Sequence, residues 1–286
     1  MTDAYSQLLD ATIAHVQGLK TAGVRHLSIA PETLAALIAP VPRRAPVSAA
    51  RPEPVSAPIS MPAKSVPAKS KPVASTLASD TKAVAMDELR SRVLPCMKCP
   101  NLASSRTQVV FGVGDIDAPL MFVGEAPGAD EDEQGEPFIG KAGQLLTKII
   151  QTMALSRETV YIANILKCRP DTPGQTAGNR KPTPAEMETC KPYLLEQIRI
   201  IQPRAIVALG ATAIDGLLGK TEGITKLRGK WQEFQGIPLM PTYHPAYLLR
   251  NQALSEKRKV WEDMLLVMEK LEMPISEKQR SYFLKP

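Results

Sequence analysis

The chain has four cysteines, Cys96, Cys99, Cys168 and Cys190, spaced as one C-x2-C pair followed by two separated residues. Four thiolates suit a tetrahedral zinc ion or an iron–sulfur cluster. Two C-x2-C knuckles would favour zinc, whereas one knuckle with two scattered ligands is compatible with a cluster. Four unrelated buried thiols are the bland alternative. Two phosphate-binding patterns fail on spacing. Gly112-Val-Gly114 runs into Asp115-Ile-Asp117, so a dinucleotide fingerprint lacks its third glycine. Gly219-Lys220-Thr221 resembles the end of a Walker loop, but Ile214 stands where the first glycine is required.

These residues must be held by elements that the apolar pattern delimits. Residues 119–123 read as a buried strand running into Gly124-Glu-Ala-Pro-Gly128, and 142–153 as an amphipathic helix. A second strand, 160–165, carries Asn164, and a helix follows at 186–201. The third strand, 205–209, runs into Gly210-Ala-Thr-Ala and a helix. The fourth, 237–240, ends at Thr242-Tyr-His244-Pro245, and a last helix spans 257–271. This alternation predicts a three-layer α/β/α fold with a central, mainly parallel four-stranded sheet. Polar residues and glycines gather just after the strands, at the edge where open α/β sheets bind ligands.

Composition divides the chain further. At 286 residues, with 44% hydrophobic and 22% charged residues, it is ordinary for a soluble protein of more than one segment. No apolar run reaches 18 residues, and the N-terminus lacks the basic, apolar and small-residue succession of a secretory signal. A cytoplasmic, reducing compartment is therefore expected, where four cysteines are thiolate ligands or buried thiols rather than disulfides. No aromatic residue lies between Tyr5 and Phe111, and nine prolines fall within 40–72. Residues 41–84 read as a disordered Pro/Ala/Lys-rich linker, since so few large side chains cannot offset ordering entropy. Of the net charge of +6, residues 41–83 carry +5 and 1–40 carry −1, leaving +2 for the rest. The tether either adds salt-sensitive attraction to DNA or merely stays soluble. Residues 1–40 read as a short helical segment, either a hairpin for a protein partner or a marginal appendage. The catalytic-looking domain spans 85–275, with a tail at 276–286.

The stretch from Gly124-Glu-Ala-Pro-Gly128 through Glu131, Pro137-Phe-Ile-Gly140 and Gly143 resembles the iron–sulfur, family 4 uracil-DNA glycosylases. Asn164 within Ala-Asn-Ile-Leu-Lys-Cys-Arg-Pro and the late His244-Pro-Ala extend the resemblance, which covers roughly residues 88–271. It implies hydrolysis of the deoxyuridine N-glycosidic bond in single- or double-stranded DNA to leave an abasic site, opening base-excision repair. The fold expected is the one that superfamily shares. The four cysteines fall where a 4Fe-4S cluster is expected, and catalysis is expected to need no magnesium.

Such a reaction leaves positive character on the sugar and negative charge on the departing base. Glu125 is the candidate carboxylate on the sugar side, and His244 the candidate donor to uracil O2. His244 as a structural loop residue is the alternative reading. Asn164 can match uracil O4 and N3–H and reject cytosine, and Phe138 can stack on a flipped base. Asn164 could also be a helix cap, and Phe138 core. The resemblance places Glu131 at the base's C5 edge, where it would exclude thymine, and the Ala126 backbone beside the base. Gly210 and Thr212 could meet a phosphate at a helix start. The resemblance brings Tyr247, Leu248 and Arg250 towards the minor groove. Lys167, Arg169, Lys226 and Arg228 are either phosphate contacts or simply solvated. Residues 172–184 contain no histidine, unlike the insertion of cross-linking relatives. No lysine is evidently poised as a Schiff-base nucleophile, so strand cleavage is not expected. Two rivals remain: a broader glycosylase accepting hypoxanthine or mismatched thymine, and a noncatalytic zinc-bound DNA-binding module.

Overall fold

The computed structural model describes residues 74–171, 180–219 and 222–284, which fall in one compact unit. The segment read as helical at 1–40, and the linker as far as residue 73, lie outside the described residues. Helix α1, Ala74–Val93, begins within the span read as linker. It contains neither glycine nor proline and buries Met86, Leu89 and Val93 at helical spacing, while Lys82 pairs with Asp117 at 2.8 Å. The domain therefore begins earlier than composition suggested: the alanine-rich stretch that looked like tether is also good helix.

After α2 (Pro100–Ser105) the chain alternates strands and helices. These are β1 (Val113–Gly114), β2 (Leu120–Gly124), α3 (Ala129–Gln134), α4 (Lys141–Thr152), β3 (Tyr161–Asn164), α5 (Pro184–Ile201), β4 (Ala205–Leu209), α6 (Ala211–Leu218) and α7 (Ile224–Leu227). The remainder is β5 (Gln232–Phe234), β6 (Ile237–Thr242), α8 (Pro245–Arg250), α9 (Leu254–Lys270) and α10 (Glu277–Ser281). The sheet has six strands, not four, in the order β1-β3-β2-β4-β6-β5. Its four central strands are parallel, and the extra ones, β1 and β5, pair antiparallel at the two edges. With only two and three residues, neither edge strand is long enough to show an alternation of its own.

Every residue of β2, β3 and β4 is buried, as both faces of a parallel sheet require. On one face Met121, Val123 and Ile206 pack with Leu89 of α1, Leu194 of α5 and Ile214 of α6. On the other, Leu120, Phe122 and Val207 pack with Ile150 of α4 and Trp261 and Met264 of α9. This is the three-layer arrangement expected. Residues 276–284 are not a free tail. Ser276 and Gln279 form a capping box on α10, and Trp261 Nε1 donates to the Gln279 carbonyl at 2.6 Å. No described helix is long and apolar enough to cross a membrane.

Candidate active site and cysteine cavity

The parallel strands all end at one edge, and their following loops converge there. Register aligns Gly124 of β2 with Asn164 of β3, and Leu209 of β4 with Thr242 of β6. Beyond the ladder, Gly124 O and Glu125 O accept from Ile165 N and Leu166 N at 3.0 and 3.1 Å, so the two strand tips stay paired. A Cβ at Gly124 would stand 2.4 Å from both Asn164 Oδ1 and Phe138 Cζ; only glycine lets those side chains meet over the strand end.

The loop that carries Phe138 is pinned from three sides. Arg157 donates to Pro137 O and Phe138 O at 2.7 and 2.9 Å. Glu131 accepts at Oε1 from Ile139 N and Gly140 N, and at Oε2 from Gly128 N, at 3.0–3.1 Å. A Cβ at Gly143 would lie 1.9 Å from Phe138 O. Phe138 is thereby held at φ 55°, a left-handed conformation that non-glycine residues seldom adopt. Glu131 lies in the short acidic helix α3 and joins two loops.

At the tip of β6, His244 caps α8 and its Nδ1 accepts from Ala246 N at 3.1 Å. A neutral ring in that bond carries its proton on Nε2. Burial, with Arg250 nearby, pulls the imidazole pKa down to about 4, so the ring is neutral at pH 7. The ring centroid lies 5.6 Å from that of Phe138. The strand end behind it is anchored by Thr242 Oγ1, which donates to the buried carboxylate of Asp263 at 2.6 Å, while Arg228 forks onto the same carboxylate.

Ala126, Gly128, Glu131, Phe138, Asn164 and His244 line one cavity of about 470 Å³, completed by Ala142 and Ala246. Asn164 is 2% exposed, and its Oδ1 has no hydrogen-bond partner among the described residues. A buried acceptor left open costs about 1–3 kcal/mol, and a ligand that donates to it would recover that cost. Glu125 is half-buried on the turn just before Ala126 and is not among the lining side chains.

The outer candidates divide. Gly210 caps α6 at φ 92°, but Thr212 is buried, so its hydroxyl does not face solvent. Tyr247 packs its ring 4.6 Å from that of Tyr243 and donates to Glu256 at 3.1 Å. Leu248 is buried with Tyr243 and Val260; the apolar side chain that α8 presents outward is Leu249, at 39% exposure, beside the exposed Arg250. Of the four basic residues considered as phosphate contacts, Lys226 is exposed and Arg169 partly so. Arg228 is engaged with Asp263, and Lys167 lies in the core.

Sequence reasoning missed the role of Lys167. It is 1% exposed, and its Nζ donates to Asn164 O at 3.0 Å and to Gln197 Oε1 at 2.6 Å. Gln197 in turn donates to Phe111 O at 2.9 Å and to the Tyr161 hydroxyl at 3.1 Å. Burial pulls the Lys167 ammonium down to about 8.

All four cysteines are free and line a second cavity, of about 370 Å³, together with Val93, Leu102, Arg106, Leu166 and Tyr193. Cys96 and Cys99 come from the turn between α1 and α2, Cys168 from the loop after β3, and Cys190 from α5. Three sulfurs accept hydrogen bonds: Cys168 from Arg106 Nη1 at 3.1 Å, Cys190 from Lys167 N at 3.2 Å, and Cys96 from the Tyr193 hydroxyl at 3.3 Å. Burial pushes the Cys168 and Cys99 thiols up, the latter further raised by Cys168 and Cys96, and pushes Cys190 up to about 12. No group of three or more His, Cys, Asp or Glu among the described residues closes around a single ion.

Comparison with known proteins gives the same direction. The family model described as the uracil DNA glycosylase superfamily matches residues 111–265. The chain is 46% identical over 186 residues to the type-4 uracil-DNA glycosylase of Thermotoga maritima, covering 64% of this chain and 93% of that protein. It is 40% identical over 181 residues to the type-4 uracil-DNA glycosylase of Archaeoglobus fulgidus, covering 60% and 87%. For the type-4 uracil-DNA glycosylase of Pyrobaculum aerophilum the identity is 42% over 179 residues, covering 59% and 87%.

Proposed function

This chain belongs to the uracil DNA glycosylase superfamily, with the type-4 enzymes, and we propose that it releases uracil from DNA by hydrolysing the N-glycosidic bond, leaving an abasic site. The observation that carries this reading is a single cavity lined by Asn164, whose buried Oδ1 has no partner among the described residues, together with a neutral His244 and Phe138. Uracil N3–H would satisfy Asn164 Oδ1, and the amide nitrogen would donate to O4. Cytosine presents an acceptor at N3 and a donor at the 4-position, and so would leave both groups of Asn164 mismatched. Phe138 stacks on the flipped base, and Glu131 and Ala126 close the cavity around it.

As the bond breaks, negative charge grows on the uracil. His244 Nε2–H donates to O2 and stabilises it without giving up its proton. Glu125, on the turn beside the cavity, acts on the sugar side, where its carboxylate stabilises the developing cation and orients the attacking water. The departing base is thus a hydrogen-bonded anion, and no metal-bound water is called for. Gly210, Leu249 and Arg250 meet the DNA strand beside the extruded nucleotide.

Cys96, Cys99, Cys168 and Cys190 fit a 4Fe-4S cluster by donor set and by convergence on one cavity. When bound, such a cluster supplies a structural tie between the α1–α2 turn, the loop after β3 and α5. Free thiols of this kind fit the reducing cytoplasm, where we place the enzyme.

The test is incubation of a uracil-containing oligonucleotide with the protein in EDTA, followed by alkali. Cleavage at the uracil position only after alkali is expected, on single- and double-stranded substrates alike. Intact strands after alkali, or cleavage without it, would exclude a monofunctional glycosylase.

A further inference from the structure

Lys167 has a partnership that the proposed chemistry does not use. A lysine ammonium is among the costliest groups to bury, and a buried charge is ordinarily paired. Here, among the described residues, no carboxylate is hydrogen-bonded or ion-paired to it, and the group whose negative charge favours it is the Cys190 sulfur. The ammonium is spent instead on two neutral acceptors: the backbone carbonyl of Asn164 and the side chain of Gln197. Gln197 is fully buried and is itself fixed by Phe111 O and the Tyr161 hydroxyl, so the ammonium sits on a rigid bracket reaching into the core. On the other side of the same peptide segment, the backbone carbonyls of Gly124 and Glu125 hold Ile165 and Leu166. Asn164 is thus gripped from both sides while its Oδ1 is left without a partner among the described residues.

We infer that Lys167 is a positioning residue for base recognition: its ammonium, latched to Gln197, fixes the Asn164 backbone from behind, and so sets the angle at which the Asn164 amide meets the pyrimidine edge. The inference rests on the reading of Asn164 as the uracil-binding amide. Lys167 touches no substrate and acts only through Asn164.

Free uracil is the probe, measured as a competitive inhibitor of the intact full-length protein, with KM and kcat for a uracil oligonucleotide measured alongside. Lys167→Met keeps the length of the side chain and removes its donors. It is expected to raise the uracil inhibition constant about tenfold, the size of effect typical of losing a charged hydrogen bond, while kcat changes less. Lys167→Gln, which restores a neutral donor, is expected to recover most of that loss. In an Asn164→Ala background, Lys167→Met is expected to add no more than about twofold, because the residue through which it acts is gone. A thermal melt separates folding from binding. Should Lys167→Met fail to fold, Gln197→Met unlatches the same ammonium from farther away and is expected to weaken uracil binding in the same direction. The inference is overturned if the variants that fold bind uracil as the wild type does, or if the Lys167→Met effect multiplies in full onto Asn164→Ala. Should Asn164→Ala itself bind uracil normally, the base-recognition reading fails first and takes this inference with it.

Discussion

His244 is the residue whose chemistry is most constrained by its surroundings. The Ala246 amide fixes which nitrogen holds the proton, and burial keeps the ring neutral far below its usual range. In the proposed mechanism the neutral ring is the donor, so the acid limb that His244 contributes to kcat is expected near pH 4 rather than near 6.5, with a plateau above. The same depressed pKa makes the folded protein bind fewer protons than the unfolded chain between about pH 4 and 6.5, so stability falls as pH drops through that window. A pH–rate profile with its His244-dependent limb near 6.5 would show that the imidazole is not held this way. That Asn164 closes one strand and His244 follows another was legible in the sequence from the apolar runs before them. Lys167 was not, since a lysine in a Lys-Cys-Arg run reads as surface, and only the β3 turn shows that its stem points inward to a carbonyl. Leu248 and Leu249 are adjacent leucines on a short helix, and only the helix's rotation decides which one solvent sees.

At the scale of elements, the site depends on two glycines that keep loops close. Gly143 lets α4 start against the Phe138 carbonyl, and Gly124 lets the tips of β2 and β3 share their end with Phe138. Gly124→Ala would place its methyl against the ends of two side chains rather than against backbone, so those side chains must move out of the cavity. It is expected to cut uracil release at least about 100-fold, a loss in keeping with roughly ångström-scale misplacement, while the melting temperature falls by only a few degrees. Near-wild-type release by Gly124→Ala would show that Phe138 and Asn164 need not meet there. The central strands were readable because strands buried on both faces are continuous apolar runs, and 205–209 coincides with β4 residue for residue. The edge strands and α10 were not, because two to five residues carry no period, and their placement comes from partners far away in sequence, as Gln279 binding Thr152 O at 2.8 Å illustrates.

For the whole molecule, the sheet divides the labour. One face rests on α1, α5 and α6, and α1 and α5 also contribute to the cysteine cavity. The other rests on α4 and α9, which carry the Phe138 loop and the Asp263 anchor for the strand that ends at His244. The candidate cavity lies at the carboxyl edge of the sheet, where the loops after β2, β3 and β6 bring Ala126, Asn164 and His244 together. The measurement that tests this most directly is single-turnover uracil release by the Glu125→Ala/His244→Ala double variant, folded and with its four cysteines intact. A loss of at least about 10³-fold against the wild type is predicted, the order expected when charge stabilisation is removed on the base side alone. Release at the wild-type rate would contradict the assignment of this cavity as the catalytic centre.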